Sequence, residues 1–290
     1  MGLPMATNLV RAGYSVSGAD AHAAAVARLV DAGGAAAEDA QEAARASDVV
    51  ITMLPDDRIV TDVLGGENGL VARMRSGALV VEMSTTGPRT KVELAAQAQA
   101  RGVRFIEAPV GKTVEHAVAG TLTLMVAGDR EVLDSARPIL SAMGDDIHLC
   151  GDVGAGSTVK LINNALVAAI NAASLEALVA GTKANIDIET MLGVFRTTLA
   201  WNNALAVGLP RKALKRDFKP GFMTKLAHKD VGLALSMADD LDVPMRVGRA
   251  AFEILERALE LGFANDDNAG SMMRVCEADG GARLQAPAAT

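Results

Sequence analysis

Two rhythms of apolar and polar positions alternate along the first half of the chain. Val49-Val50-Ile51-Thr52-Met53-Leu54 follows Asp48, is apolar on both faces and is stopped by Pro55, as a buried strand should be. The same texture returns at residues 78–83, 103–106 and 122–126, with helix-period stretches between them. One such stretch, residues 23–30, is closed by Asp31-Ala32-Gly33-Gly34. Residues 14–20 read as a short strand ending on an acid, and residues 1–10 open as a helix with no strand before them. Buried strands separated by helices predict an α/β architecture with a doubly wound parallel sheet.

Near Gly151 the pattern changes. Gly154-Ala155-Gly156 leads into a helical pattern from about Ser157 to Lys183 without a proline. It is longer than an ordinary globular helix and is expected to run through the centre of a second, all-α domain. The chain stays helical beyond it, with breaks at Pro210, Pro220-Gly221 and Pro244. The expected organisation is a sheet domain over residues 1–151, a helical domain over 152–279, and a frayed Gly/Ala/Pro-rich tail over 280–290.

Composition narrows the function. A length of 290 residues suits about two domains. A net charge of −7, no basic block and few aromatics argue against nucleic acid as a partner. The two cysteines, Cys150 and Cys276, lie far apart, and the four histidines have no ligand spacing, so neither a disulfide scaffold nor a metal is expected. No uninterrupted apolar run reaches about 18 residues and no basic segment leads into one, so the expectation is a cytoplasmic protein with no membrane contact.

Helix from Gly2, then Gly13, a strand and a terminal Asp20 form the back half of a dinucleotide-binding βαβ unit. In that Rossmann reading Gly2 is the third glycine of G-x-G-x-x-G, and Asp20 accepts from the adenosine ribose and so favours NAD. The first two glycines and their strand would lie before Met1, which predicts a sheet lacking its central first strand and a natural start roughly ten residues upstream. Strand ends bind ligands in such sheets, so Met53, Leu54 and Pro55, with Ser84 and Thr85, can line a cofactor. Lys160 stands early in the long helix, where helix dipole and apolar neighbours would favour the neutral amine of a proton-transfer group. Read alone it could be a solvated helix lysine; Asn164, one turn on and on the same face, favours a functional pair. Lys229-Asp230 alone reads as a surface pair, His228 as structural, and Trp201 as either pocket wall or packing.

Six ordered segments resemble the β-hydroxyacid dehydrogenase family, to which 3-hydroxyisobutyrate dehydrogenases belong. They are Met1-Gly2-Leu3-Pro4-Met5-Ala6-Thr7-Asn8-Leu9; Ile51-Thr52-Met53-Leu54-Pro55; Met83-Ser84-Thr85; Glu107-Ala108-Pro109-Val110 with Gly120-Thr121-Leu122; Gly154, Gly156, Lys160 and Asn164; and Leu226-Ala227-His228-Lys229-Asp230. The resemblance implies an NAD-dependent enzyme in which Lys160 donates or accepts the proton and Asn164 is its partner. It also implies that Thr85 is nearest the nicotinamide ribose and that Lys229 closes over the nicotinamide end. Where most of the family has Ser-Gly-Gly, this chain has Gly111-Lys112-Thr113, similar to members that reduce sulfolactaldehyde but with Lys for Arg. The expected substrate is a small anionic aldehyde or its hydroxy acid or sulfonate, sulfolactaldehyde first. Succinic semialdehyde, tartronate semialdehyde and 3-hydroxyisobutyrate remain open, as does a non-catalytic remnant. Family resemblance also implies a homodimer or homotetramer.

Overall fold

The computed structural model describes residues 1–285. The chain forms two compact units, the first ending at Lys160 and the second beginning at Leu161. In the first, elements follow in the order α1 (Gly2–Arg11), β1 (Ser17–Gly18), α2 (Ala23–Asp31), β2 (Ala35–Ala36), α3 (Ala40–Ala46), β3 (Val49–Thr52), α4 (Asp57–Leu64), β4 (Leu79–Glu82), α5 (Pro88–Gln99), β5 (Arg104–Glu107), β6 (Val110–Gly111), α6 (Val114–Ala119), β7 (Thr123–Gly128), α7 (Arg130–Ser141) and β8 (Asp146–Gly151). Helix starts follow local chemistry: Asp56 accepts the Ile59 N–H at the head of α4, Asp129 caps α7, and Pro88 supplies its fixed φ to the first turn of α5.

The sheet is covered on both faces, which is what its apolar runs predict. Leu79, Val81, Met83 and Ile106 pack on one side with Met5 and Leu9 of α1 and Leu133 and Leu140 of α7. The alternate residues Val80 and Phe105 face the other way, onto Val60 and Leu64 of α4 and Leu94 and Ala98 of α5.

Two expectations need correction. The sheet is mixed: β3, β4 and β5 are parallel, but β7 runs antiparallel to β5 and β6. Ile106 and Glu107 face Gly128 and Ala127, and Val110 and Gly111 face Leu124 and Thr123, in one continuous antiparallel register. β5 and β6 are thus a single hairpin arm broken at Pro109, which has no N–H to give. The six-residue α6 at the tip turns the chain straight back instead of crossing over the sheet. β8, which the apolar pattern did not single out, restores parallel pairing beside β7. Secondly, residues 14–20 contribute only Ser17–Gly18 to a ladder. As expected of a sheet that lacks its central first strand, β1 pairs with β2 in a separate two-stranded sheet, and among the described residues no pairing joins it to β3.

Helix α8 (Ala155–Lys183) leads into the second unit, where α9 (Ile188–Arg196) and the helices Thr224–Asp240, Arg246–Glu260 and Asn268–Gly280 follow. Leu175, Leu178, Leu192, Leu209, Val231, Leu255, Met272 and Met273 form the core. Among the described residues α8 is the one helix long and apolar enough to cross a membrane by length and composition. An unbroken-run criterion misses this because Asn163, Asn164 and Asn171 interrupt the run while its mean hydropathy stays high. Leu175 and Leu178 nevertheless pack it as a core helix of this unit. Past Gly280 the backbone leaves the helix, yet Leu284 is buried and its N–H donates to Glu277 Oε1 at 2.8 Å. The rest of the expected tail, residues 286–290, lies outside the described residues.

Candidate active site

At the carboxyl ends of β3 and β4 the first unit gathers the residues expected to line a cofactor. Met53 and Leu54 are half-buried, Pro55 is exposed and Thr85 is half-buried. The two strand ends are tied together, since Leu54 donates its N–H to Ser84 Oγ at 2.8 Å. Gly2 opens α1 beside Met53, and the helix start carries neither a side-chain cap nor an acidic residue in its first turn. Asp20 is exposed past the end of β1, one carboxylate oxygen accepting the His22 N–H at 2.8 Å. An uncapped helix start, an exposed acid after the following strand and open strand ends fit a dinucleotide: helix N–H groups for phosphate, a carboxylate for ribose hydroxyls.

The start of α8 depends on Glu107 at the end of β5. Its fully buried carboxylate accepts the N–H groups of Gly154 (2.6 Å), Gly156 (2.9 Å) and Ser157 (3.2 Å), and the Ser157 hydroxyl at 2.5 Å. Gly156 has no alternative here, because a Cβ would stand 2.3 Å from the Met125 carbonyl oxygen. Lys160 follows one turn later, half-buried. The positive helix end expected to act on Lys160 is therefore met by an anion, which the sequence reading did not foresee.

In the second unit, Asn164 donates its amide to Asp230 Oδ2 at 2.7 Å, and Lys229 Nζ lies 2.9 Å from Asp230 Oδ1. The Lys229-Asp230 pair is not a surface pair, because Asp230 is buried. His228 stacks on Phe252 with ring centroids 4.4 Å apart, and burial lowers its pKa against the opposing charge of Glu256, in keeping with a structural role. Trp201 packs on the core with the Arg196 guanidinium 5.4 Å from its ring centre.

Gly111 is buried in β6, while Lys112 and Thr113 are exposed. Lys112 takes a left-handed conformation, φ 74°, and its ammonium donates to the Thr121 carbonyl at 2.7 Å with Asp145 at 3.6 Å. Thr113 Oγ1 is 2.9 Å from His116 Nδ1. Glu107 and Asp230 are the site residues that sequence reasoning missed. Both stood inside quoted motifs, but their partners are distant along the chain.

A mixed α/β sheet with these strand-end features, followed by a helical unit, defines the class of NAD-binding dehydrogenases. The family model for the NAD binding domain of 6-phosphogluconate dehydrogenase matches residues 1–151, and that for the NAD-binding of NADP-dependent 3-hydroxyisobutyrate dehydrogenase matches 154–276. The chain is 40% identical to 3-sulfolactaldehyde reductase of Escherichia coli (strain K12) over 267 residues, 92% of this chain and 90% of that one. It is 36% identical to 2-(hydroxymethyl)glutarate dehydrogenase of Eubacterium barkeri over 92% of this chain and 89% of the other. The solved Mycobacterium tuberculosis 3-hydroxyisobutyrate dehydrogenase with L-serine superposes with a TM-score of 0.87 at 33% identity, covering 95% of each chain. The protein belongs to the β-hydroxyacid dehydrogenase family and is an NAD-binding oxidoreductase.

Proposed function

We propose that the protein interconverts a small anionic aldehyde and its alcohol with NAD(H), with sulfolactaldehyde and dihydroxypropanesulfonate as the leading pair. The observation that carries the chemistry is the shared face of Lys160 and Asn164 on α8, its start held by Glu107. Bound NADH supplies the hydride. Lys160 gives a proton to the oxygen that becomes the alcohol and takes it back in oxidation. An amide nitrogen carries two hydrogens: in Asn164 one goes to Asp230, and the other is left for the substrate oxygen. Gly2, Asp20, Met53, Leu54, Pro55, Thr85 and Lys229 serve the cofactor, with Asp20 selecting NAD over NADP by repelling a 2′-phosphate.

Gly111, Lys112 and Thr113 take the anionic end of the substrate. Support for the sulfonate comes from the likeness to the E. coli enzyme and from a cationic side chain where a hydroxyl-and-glycine segment would suit a carboxylate. A carboxylate substrate is the second reading, favoured by the likeness to the M. tuberculosis enzyme. Exposed Ile162, Leu166 and Val167 on α8 support a homodimer or homotetramer. The test is a panel of sulfolactaldehyde, succinic semialdehyde, tartronate semialdehyde and methylmalonate semialdehyde at fixed NADH. The highest kcat/KM should fall on the sulfonate; a carboxylate aldehyde in first place transfers the assignment to the second reading. Equal efficiency with NADPH would remove Asp20 as selector.

A further inference from the structure

Glu82 and Lys91 form an ion pair that is completely buried in the first unit. Glu82 ends β4, and Lys91 sits in the first turn of α5. The ammonium pairs with Glu82 Oε2 and donates to the Ser84 carbonyl at 2.9 Å. Glu82 Oε1 accepts the Ser84 N–H at 2.9 Å and the Thr52 hydroxyl at 3.4 Å. Ser84 Oγ in turn accepts the Leu54 N–H. One polar chain thus runs from α5 through the end of β4 to the end of β3.

Burying two charges costs desolvation on both sides, and well-packed apolar residues of the same volume often stabilise a fold equally well. The arrangement does give fixed geometry: it holds Met53-Leu54-Pro55 and Ser84-Thr85 at set positions relative to α5. We propose that Glu82 and Lys91 are positioning residues for the dinucleotide, acting through the two strand-end segments and not touching the cofactor. This rests on the assignment of those segments to the cofactor.

The decisive variant is the neutral, near-isosteric double substitution Glu82→Gln with Lys91→Met, which leaves no unpaired buried charge. NADH binding is read by fluorescence titration, melting temperature by calorimetry, and kcat at saturating NADH. The expected result is a Kd for NADH weakened about 10- to 100-fold, with melting temperature and kcat near those of the wild type. A double variant that binds NADH like the wild type overturns the proposal and leaves the pair a packing feature. Should that protein not fold, Ser84→Ala cuts the Ser84–Leu54 link while leaving the ion pair in place. It should also weaken NADH with melting temperature retained, and an unchanged Kd there overturns the proposal equally. Wild-type protein that binds no NADH would instead strike the assignment of the strand ends to the cofactor.

Discussion

The side-chain amide of Asn164 donates a 2.7 Å hydrogen bond to Asp230, a carboxylate whose side chain is 3% exposed and whose other oxygen is 2.9 Å from the Lys229 ammonium. A buried carboxylate needs such partners to offset its lost hydration. In return it fixes which way the Asn164 amide points. Asp230→Ala should lower kcat by about 10- to 100-fold, the scale of one hydrogen bond to a charged group. Because the two residues act as a unit, adding Asn164→Ala should cost little more. A double-mutant cycle on kcat checks this, and fully additive losses would separate the two.

Lys160→Ala should remove turnover by roughly 10²- to 10⁴-fold while NADH still binds. Single-turnover kinetics beside a binding titration distinguish the two effects. Near-full activity in this variant would take Lys160 out of the mechanism.

Lys112 already donates to the Thr121 carbonyl, with Asp145 3.6 Å away, so its ammonium is held in place. An anionic group reaching it gains a charge-assisted hydrogen bond. Lys112→Ala should raise KM for anionic aldehydes by about tenfold or more and leave a neutral aldehyde almost unaffected. Equal losses with both kinds of substrate would make Lys112 a structural support for its turn.

Burial lowers the pKa of His228 below its ordinary 6.5, outweighing the opposing charge of Glu256. The folded protein thus binds this proton less readily than the unfolded chain. The stability His228 contributes is present above pH 6.5 and fades as pH falls through that value toward the lowered one. His228→Phe, which keeps a ring against Phe252, should flatten the fall in melting temperature between pH 7 and pH 5. Calorimetry at several pH values checks it, and an unchanged slope would place the acid sensitivity elsewhere.

Local pattern alone was enough for β3, β4 and β5, because runs such as Val49-Val50-Ile51 can be buried on both faces only inside a covered sheet. The length of α8 was legible for a similar reason: no proline interrupts it, and helix propensity acts over a single turn. The Lys160–Asn164 face follows from helical spacing. Strand direction did not follow, since β7 looks the same run either way; the shared register across Pro109 sets it antiparallel. The electrostatic partners were also out of reach. Asp230 lies 66 residues from Asn164, and Glu107 50 residues from Ser157, so neither pairing leaves a periodic trace. Lys229-Asp230 read as a surface pair because sequence carries the charge but not what covers it. What the sequence determined is whatever acts within a turn or a strand: element type, length and apolar face. Only the tertiary structure decided which carboxylates were buried and what they hold, because burial depends on chain segments brought together by folding, and burial is what turns a solvated charge into a positioning one.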